Sequence, residues 1–220
     1  MKKLAIVILM FFGLTSIASA ELGLKVGVSG QMGAFAADAV ETENGAKSAN
    51  GEAAGVIGYT SIFLEKSLPG ALSRLSVGVD YVPESLSSET TEDNRLDKTT
   101  TETAAAVTNK VQIDFNDLTT FYVSLNITDN LYIKGGTTSV DVVTNENLGT
   151  GSAYGNTSLD GSMYGVGYDR TLDSGIFFRA EGNVMEFDGA SLTSTTNSDN
   201  SVKMSELNGV SGKISIGKSF

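Results

Sequence analysis

The sequence predicts an all-β fold: one sheet of eight antiparallel strands, wound up and down and closed on itself as a barrel. Three observations predict it. Eight segments alternate apolar and polar residues with the two-residue period of a strand. The stretches between them alternate long and short without exception. The chain also ends on a strand, Glu206 to Phe220, that would be a bare sheet edge unless the first strand paired with it.

The elements follow in order. Strand one runs from Leu22 to Ala34, with Leu24, Val26, Val28 and Met32 against Lys25, Gly27, Ser29 and Gln31. Phe35 to Ala53 reads as a long loop. Strand two, Ala54 to Lys66, is poorly sorted, and the Tyr59/Phe63 parity is read as outward. The Pro-Gly pair of Ser67-Leu68-Pro69-Gly70 makes a tight turn. In strand three, Ala71 to Val82, Leu75, Val77, Val79 and Tyr81 oppose Arg74, Ser76, Gly78 and Asp80.

Pro83 to Thr108, rich in Ser, Thr and Glu, reads as a mobile loop. Strand four spans Asn109 to Ile127. Val111, Ile113, Phe115, Phe121, Val123 and Leu125 share its odd parity, with Lys110, Asp114 and Ser124 on the other. After Thr128-Asp129-Asn130, strand five (Leu131 to Val143) sets Tyr132 and Lys134 against Leu131 and Ile133. A loop, Thr144 to Ser158, leads to strand six, Leu159 to Thr171, where Tyr164, Val166 and Tyr168 oppose Met163, Gly165, Gly167 and Asp169. Leu172 to Gly175 is a turn. Strand seven, Ile176 to Phe187, opposes Ile176, Phe178, Ala180 and Val184 to Arg179, Glu181, Asn183 and Met185. Asp188 to Met204 reads as a loop before the closing strand, where Val210, Ile214, Ile216 and Phe220 oppose Ser211, Lys213, Ser215 and Ser219.

Residues 1–20 read as a signal peptide. Lys2 and Lys3 precede an apolar run, Leu4 to Leu14, and Ala18-Ser19-Ala20 is a cleavage site. The run is shorter than the roughly 20 residues of a spanning helix. Export is expected, with 21–220 as one domain. Taking Lys2 and Lys3 from the 15 basic residues leaves 13 against 26 acidic, which argues against nucleic acid. With no Cys, an exported chain cannot rely on disulfides.

By these boundaries the connections run about 19, 4, 26, 3, 15, 4 and 17 residues. Both termini then lie with the short turns. That is the layout of a bacterial outer-membrane barrel, with short periplasmic turns and long extracellular loops. A soluble sandwich has no reason to sort its loops this way.

In architecture the chain resembles the eight-stranded outer-membrane barrels that include OmpX and the transmembrane domain of OmpA. The sharpest element is the end, Ile214-Ser215-Ile216-Gly217-Lys218-Ser219-Phe220. The resemblance implies that Ile214, Ile216 and Phe220 form an assembly signal read by the barrel-insertion machinery. Lys218 departs from the pattern, and near the rim it can snorkel to headgroups. Outer-membrane lipid and lipopolysaccharide are the expected surroundings, and a monomer the expected state.

Tyr81, Phe115, Phe121, Tyr164, Tyr168, Phe178 and Phe220 are candidate interface aromatics on the outward face. The inward face is expected to hold a lumen charge network of Lys25, Arg74, Asp114, Lys134, Arg179, Glu181 and Lys213, with Asp80, Lys110 and Asp169 on the same parities. So narrow a barrel is filled by side chains, so these charges must pair. Glycines such as Gly27, Gly78, Gly136, Gly165 and Gly167 make room for them.

With no His, Ser-His-Asp catalysis and His-based metal ligation are excluded. Enzymes built as outer-membrane barrels resemble one another in needing a catalytic His, which this sequence lacks. A carboxylate pair, for example Asp114 with Glu181, stays open, but no spacing singles it out. Glu89, Glu92, Asp93 and Asp97 read as a solvated charge run rather than a Ca²⁺ site, since EF-hand spacing is missing. No enzyme activity and no cofactor are expected. The expected role is structural or surface display. The alternatives are a narrow pore for ions or small solutes, and a soluble periplasmic barrel of lipocalin type whose apolar parity lines a pocket.

Overall fold

The computed structural model describes residues 23–43, 46–98, 104–149 and 151–220; the predicted signal peptide, together with Glu21 and Leu22, lies outside them. Twelve strands are described: β1 (Leu24–Glu43), β2 (Ala46–Ser67), β3 (Leu75–Tyr81), β4 (Leu86–Ser87), β5 (Thr91–Lys98), β6 (Ala104–Asn126), β7 (Leu131–Asn147), β8 (Thr157–Thr171), β9 (Ile176–Phe187), β10 (Ala190–Thr193), β11 (Ser201–Met204) and β12 (Leu207–Ser219). They make eight staves. β3, β4 and β5 follow one another along β6, while β11 and β12 follow one another along β1. β10 continues the line of β9.

The ring runs β1-β2-β3-β6-β7-β8-β9-β12 and returns to β1, antiparallel at every step. The first and last strands meet as predicted. Leu24 N–H donates to Phe220 O at 3.2 Å, and Phe220 N–H to Leu24 O at 2.8 Å. Closure removes the two sheet edges that the termini would otherwise expose.

Most of the predicted long loops are in fact strand. β1 and β2 stay paired from Leu24↔Lys66 to Glu43↔Ala46. β4 and β5 occupy much of Pro83–Thr108, and β10 and β11 much of Asp188–Met204. A span of the bilayer takes only about 9–11 strand residues, so the 20 of β1 carry the wall well past the membrane. The composition rule for disorder treats a segment as though it were alone. Here the ladder is already nucleated inside the barrel, and outside the membrane water serves both faces, so neither apolar content nor strict alternation is required.

The faces sort as a membrane barrel needs. Val28, Met32, Val77, Phe121, Ile133, Val166, Phe178, Ile214 and Ile216 are exposed on the outside, and Lys134, Arg179, Glu181 and Lys213 are buried within. The soluble alternative, with the apolar parity lining a pocket, is thereby overturned.

Three parity readings are corrected. In β2, Tyr59 and Phe63 face inward, buried with Ser61 and Glu65. A carboxylate at the lipid face is the costlier error, so Glu65 decides the parity against the aromatics. In β6 the register slips between Asn116 and Thr119, where Asp117 takes a left-handed φ of 55°. This bulge swaps the faces: Phe121 and Val123 are exposed below it, whereas above it Phe115 turns in toward a core cluster and Asp114 and Lys110 turn away from it. Tyr81 is buried and donates its hydroxyl to Asp117 Oδ1 at 2.6 Å, so neither it nor Phe115 joins the exposed aromatics.

The interior has two tiers. Toward the short turns it is charged. Toward the extracellular end it is an apolar plug that includes Val82, Leu118, Val140, Leu159, Met163, Met185 and Phe187, with Tyr59 and Tyr122 at its base.

Candidate functional site

The charged tier is built from one or two residues on each of seven strands. Every one sits on the inward parity of its strand. Arg179 of β9 is the hub. Its guanidinium donates to Glu65 from Nη1 and Nη2, both at 3.0 Å, and to Asp169 Oδ2 from Nε at 3.1 Å and Nη2 at 2.9 Å. This is the planar, forked geometry for which arginine is suited. Lys25 reaches the same Asp169 oxygen at 2.9 Å. Lys134 pairs with Glu181 at 2.6 Å. Lys213 pairs with Asp80 and lies 3.8 Å from Glu181.

Four cations thus face four carboxylates among the described residues. Tyr132 donates to Glu181 at 2.7 Å and Tyr122 to Glu65 at 3.1 Å, adding neutral donors to the anions. The rings also serve the cations. Arg179 lies 5.0 Å from the Tyr132 ring centre and 5.1 Å from that of Phe63, and Lys134 lies 5.1 Å from that of Tyr122. The rings fit because glycines lie beneath them. A Cβ on Gly78 would come within 2.4 Å of Tyr122, and one on Gly167 within 2.3 Å of Tyr132.

Of the predicted network, Lys25, Lys134, Arg179, Glu181 and Lys213 come together. Arg74 and Asp114 do not. Arg74 sits at the short-turn rim and donates to Ile127 O at 2.9 Å. Asp114 lies above the bulge, where it accepts from Asn145 at 2.6 Å. The separation removes the Asp114–Glu181 pair. Glu65 is the residue missed. Its signal was present: a lone carboxylate in mid-strand must face the lumen whatever its aromatic neighbours suggest. Ile214, Ile216 and Phe220 are exposed on the outer face of the closing strand.

Glu89 and Glu92 lie in the stave of β4 and β5, where Glu92 pairs with Lys110 at 2.8 Å. Among the described residues, no three Asp or Glu are arranged to hold a metal ion. At the outer end, burial pushes the Tyr154 hydroxyl up to about 12, with the Glu41 carboxylate acting in the same direction, so this side chain stays neutral there.

A sheet closed on itself, with an apolar exterior and its charges neutralised inside, meets the demand that every backbone polar group be satisfied in lipid. This is the build of an outer-membrane β-barrel. No family model and no curated protein matches the chain. Among solved structures it is similar to the outer-membrane protease OmpT from Escherichia coli, at 9% identity over 94% of this chain and 99% of that one, with a TM-score of 0.45. It is similar to Neisserial surface protein A at 11% identity, over 87% and 97%, with a TM-score of 0.34. It is similar to Ail of Yersinia pestis, solved with the heparin analogue sucrose octasulfate, at 10% identity over 85% and 98%, with a TM-score of 0.32. The ring closure and the sorted faces, not these likenesses, identify the barrel.

Proposed function

We propose that this barrel is a sealed structural element of the outer membrane whose working surface is its extracellular end, without catalytic activity. The filled lumen carries this reading. The cavity between the two tiers, bordered by Gln31, Asp80, Val82, Lys134 and Lys213, measures about 20 Å³. That is room for about one water. Below it the fixed charges cancel, four against four, so no net field draws ions of either sign. Above it the apolar plug offers them no ligands.

The role then lies in the protruding wall, which lifts polar strands and turns above the lipid. The signal peptide, the reading of Ile214, Ile216 and Phe220 by the insertion machinery, contact with lipopolysaccharide and the monomeric state belong to the same proposal. Planar-bilayer recording on the purified, folded protein tests it. Membranes doped with the protein are expected to show no discrete conductance steps. Reproducible steps that change when Lys134 or Arg179 is substituted would replace this reading with the narrow pore.

A further inference from the structure

Among the described residues, the upper wall does not close beside β2. β2 continues up to Ala46, but it pairs with β3 only from Ile62 to Ser67. Above Tyr81 the neighbouring stave continues as β4 and β5, and both pair with β6 alone. On the other side of β2 the wall is continuous: β1 is laddered to β12 and β11 on one side and to β2 on the other over nearly its whole length. The upper half of β2 and the outer side of β5 are therefore two strand edges that flank one opening.

The last closed rung is made by a side chain. Glu84 accepts the Thr60 N–H and, at 3.0 Å, the Thr60 hydroxyl. This rung also fixes which amides lie beyond it. Ser67 N–H turns to Gly23 O on the β1 side, and Thr60 N–H turns to the opening. The ladder has no register shift from Leu24 to Glu41, so alternation hands the opening the N–H groups of Gly58, Val56, Ala54 and Glu52. This edge has none of the usual guards. From Glu52 to Thr60 it carries no Pro and no Lys, and four of the nine residues are Gly or Ala. The opposite side of the opening is acidic: Glu84, Glu89, Glu92 and Asp93 lie along it, of which Glu92 is paired with Lys110.

We infer that the opening between β2 and β5 takes an extended cationic peptide segment of a partner protein, which adds to the free edge of β2 as a further strand. Backbone pairing gives the segment its register, and the acidic flank selects its charge. The inference deepens the surface-facing reading. It rests on that reading for the placement of the upper wall outside the membrane. It does not depend on whether the lumen conducts.

Amide hydrogen exchange on the folded full chain in lipid nanodiscs tests it. The probe is a blocked peptide of about ten alternating Lys and Val residues, with a Glu-Val peptide of equal length as control. The Lys-Val peptide is expected to slow exchange at Val56, Ala54 and Glu52 by about tenfold or more, and to lose this effect as ionic strength rises. Ala53 and Gly55, whose amides already face β1, are expected not to change. Ala54→Pro removes one gap-facing donor on an edge that tolerates proline. It is expected to weaken binding of the Lys-Val peptide by about tenfold. Absence of protection at the three amides in the unmodified protein would overturn the inference even if the variant did not fold. Equal protection by both peptides would overturn its cationic part.

Discussion

Arg179 shows how a buried charge is made tolerable. Its five donors face two carboxylates, and three aromatic rings lie around it, with the Phe177 centre 5.5 Å away. Arg179→Ala leaves Glu65 without a cation and Asp169 with Lys25 alone. A loss of about 3–5 kcal/mol is expected, measured by urea unfolding in lipid vesicles. Lys134→Met combined with Glu181→Gln removes a whole pair and is expected to cost less than Lys134→Met alone. The glycines under the rings are as consequential. Gly78→Val drives a branched side chain into Tyr122 and is expected to destabilise by about 1–3 kcal/mol; adding Tyr122→Leu should recover part of that. If Gly78→Val folds with unchanged stability, the ring is not held as described. Glu65 is legible in the sequence at this scale, because a single charge outranks the parity of its aromatic neighbours. The partner of each charge is not, since Arg179 and Glu65 lie 114 residues apart.

At the scale of elements, β6 teaches the most. Its odd residues look like one uninterrupted face from Val111 to Ile127, yet the bulge at Asp117 and Leu118 divides that face in two. Below it the strand serves lipid outside and charge inside; above it the same parity fills the apolar plug. Asp117 is a residue type that accepts a left-handed φ, and its carboxylate is held by Tyr81. Asp117→Val is expected to cost about 1–3 kcal/mol through strain at that φ and the lost bond. Asp117→Gly should cost less, because it keeps the backbone free while losing only the bond. Urea unfolding of the two variants checks the order, and the reverse order would refute a strain-bearing bulge. The bulge could not be read from the alternation, because a slip of one residue leaves two runs that are each internally consistent. The predicted loops failed for a related reason. A strand that only extends an existing ladder needs partners, and its own composition carries no sign of them.

For the molecule as a whole, the outer surface decides behaviour. Exposed aliphatics girdle the lower wall, and the polar upper wall stands clear of them. Cell fractionation is expected to place the protein in the outer membrane, with heat-dependent migration on a gel reporting the closed barrel. Recovery in the soluble periplasmic fraction would contradict the sorted exterior.

The sequence by itself determined the number of staves, their order, the end at which the chain closes and the face that most strands turn to lipid. Each of these follows from a two-residue period and from the spacing of turns, which are local properties of the chain. Only the tertiary structure decided the pairing of the charges, the apolar plug, the height of the wall and the seam left open between β2 and β5. Those depend on shear and register, which set side by side residues that no local pattern relates.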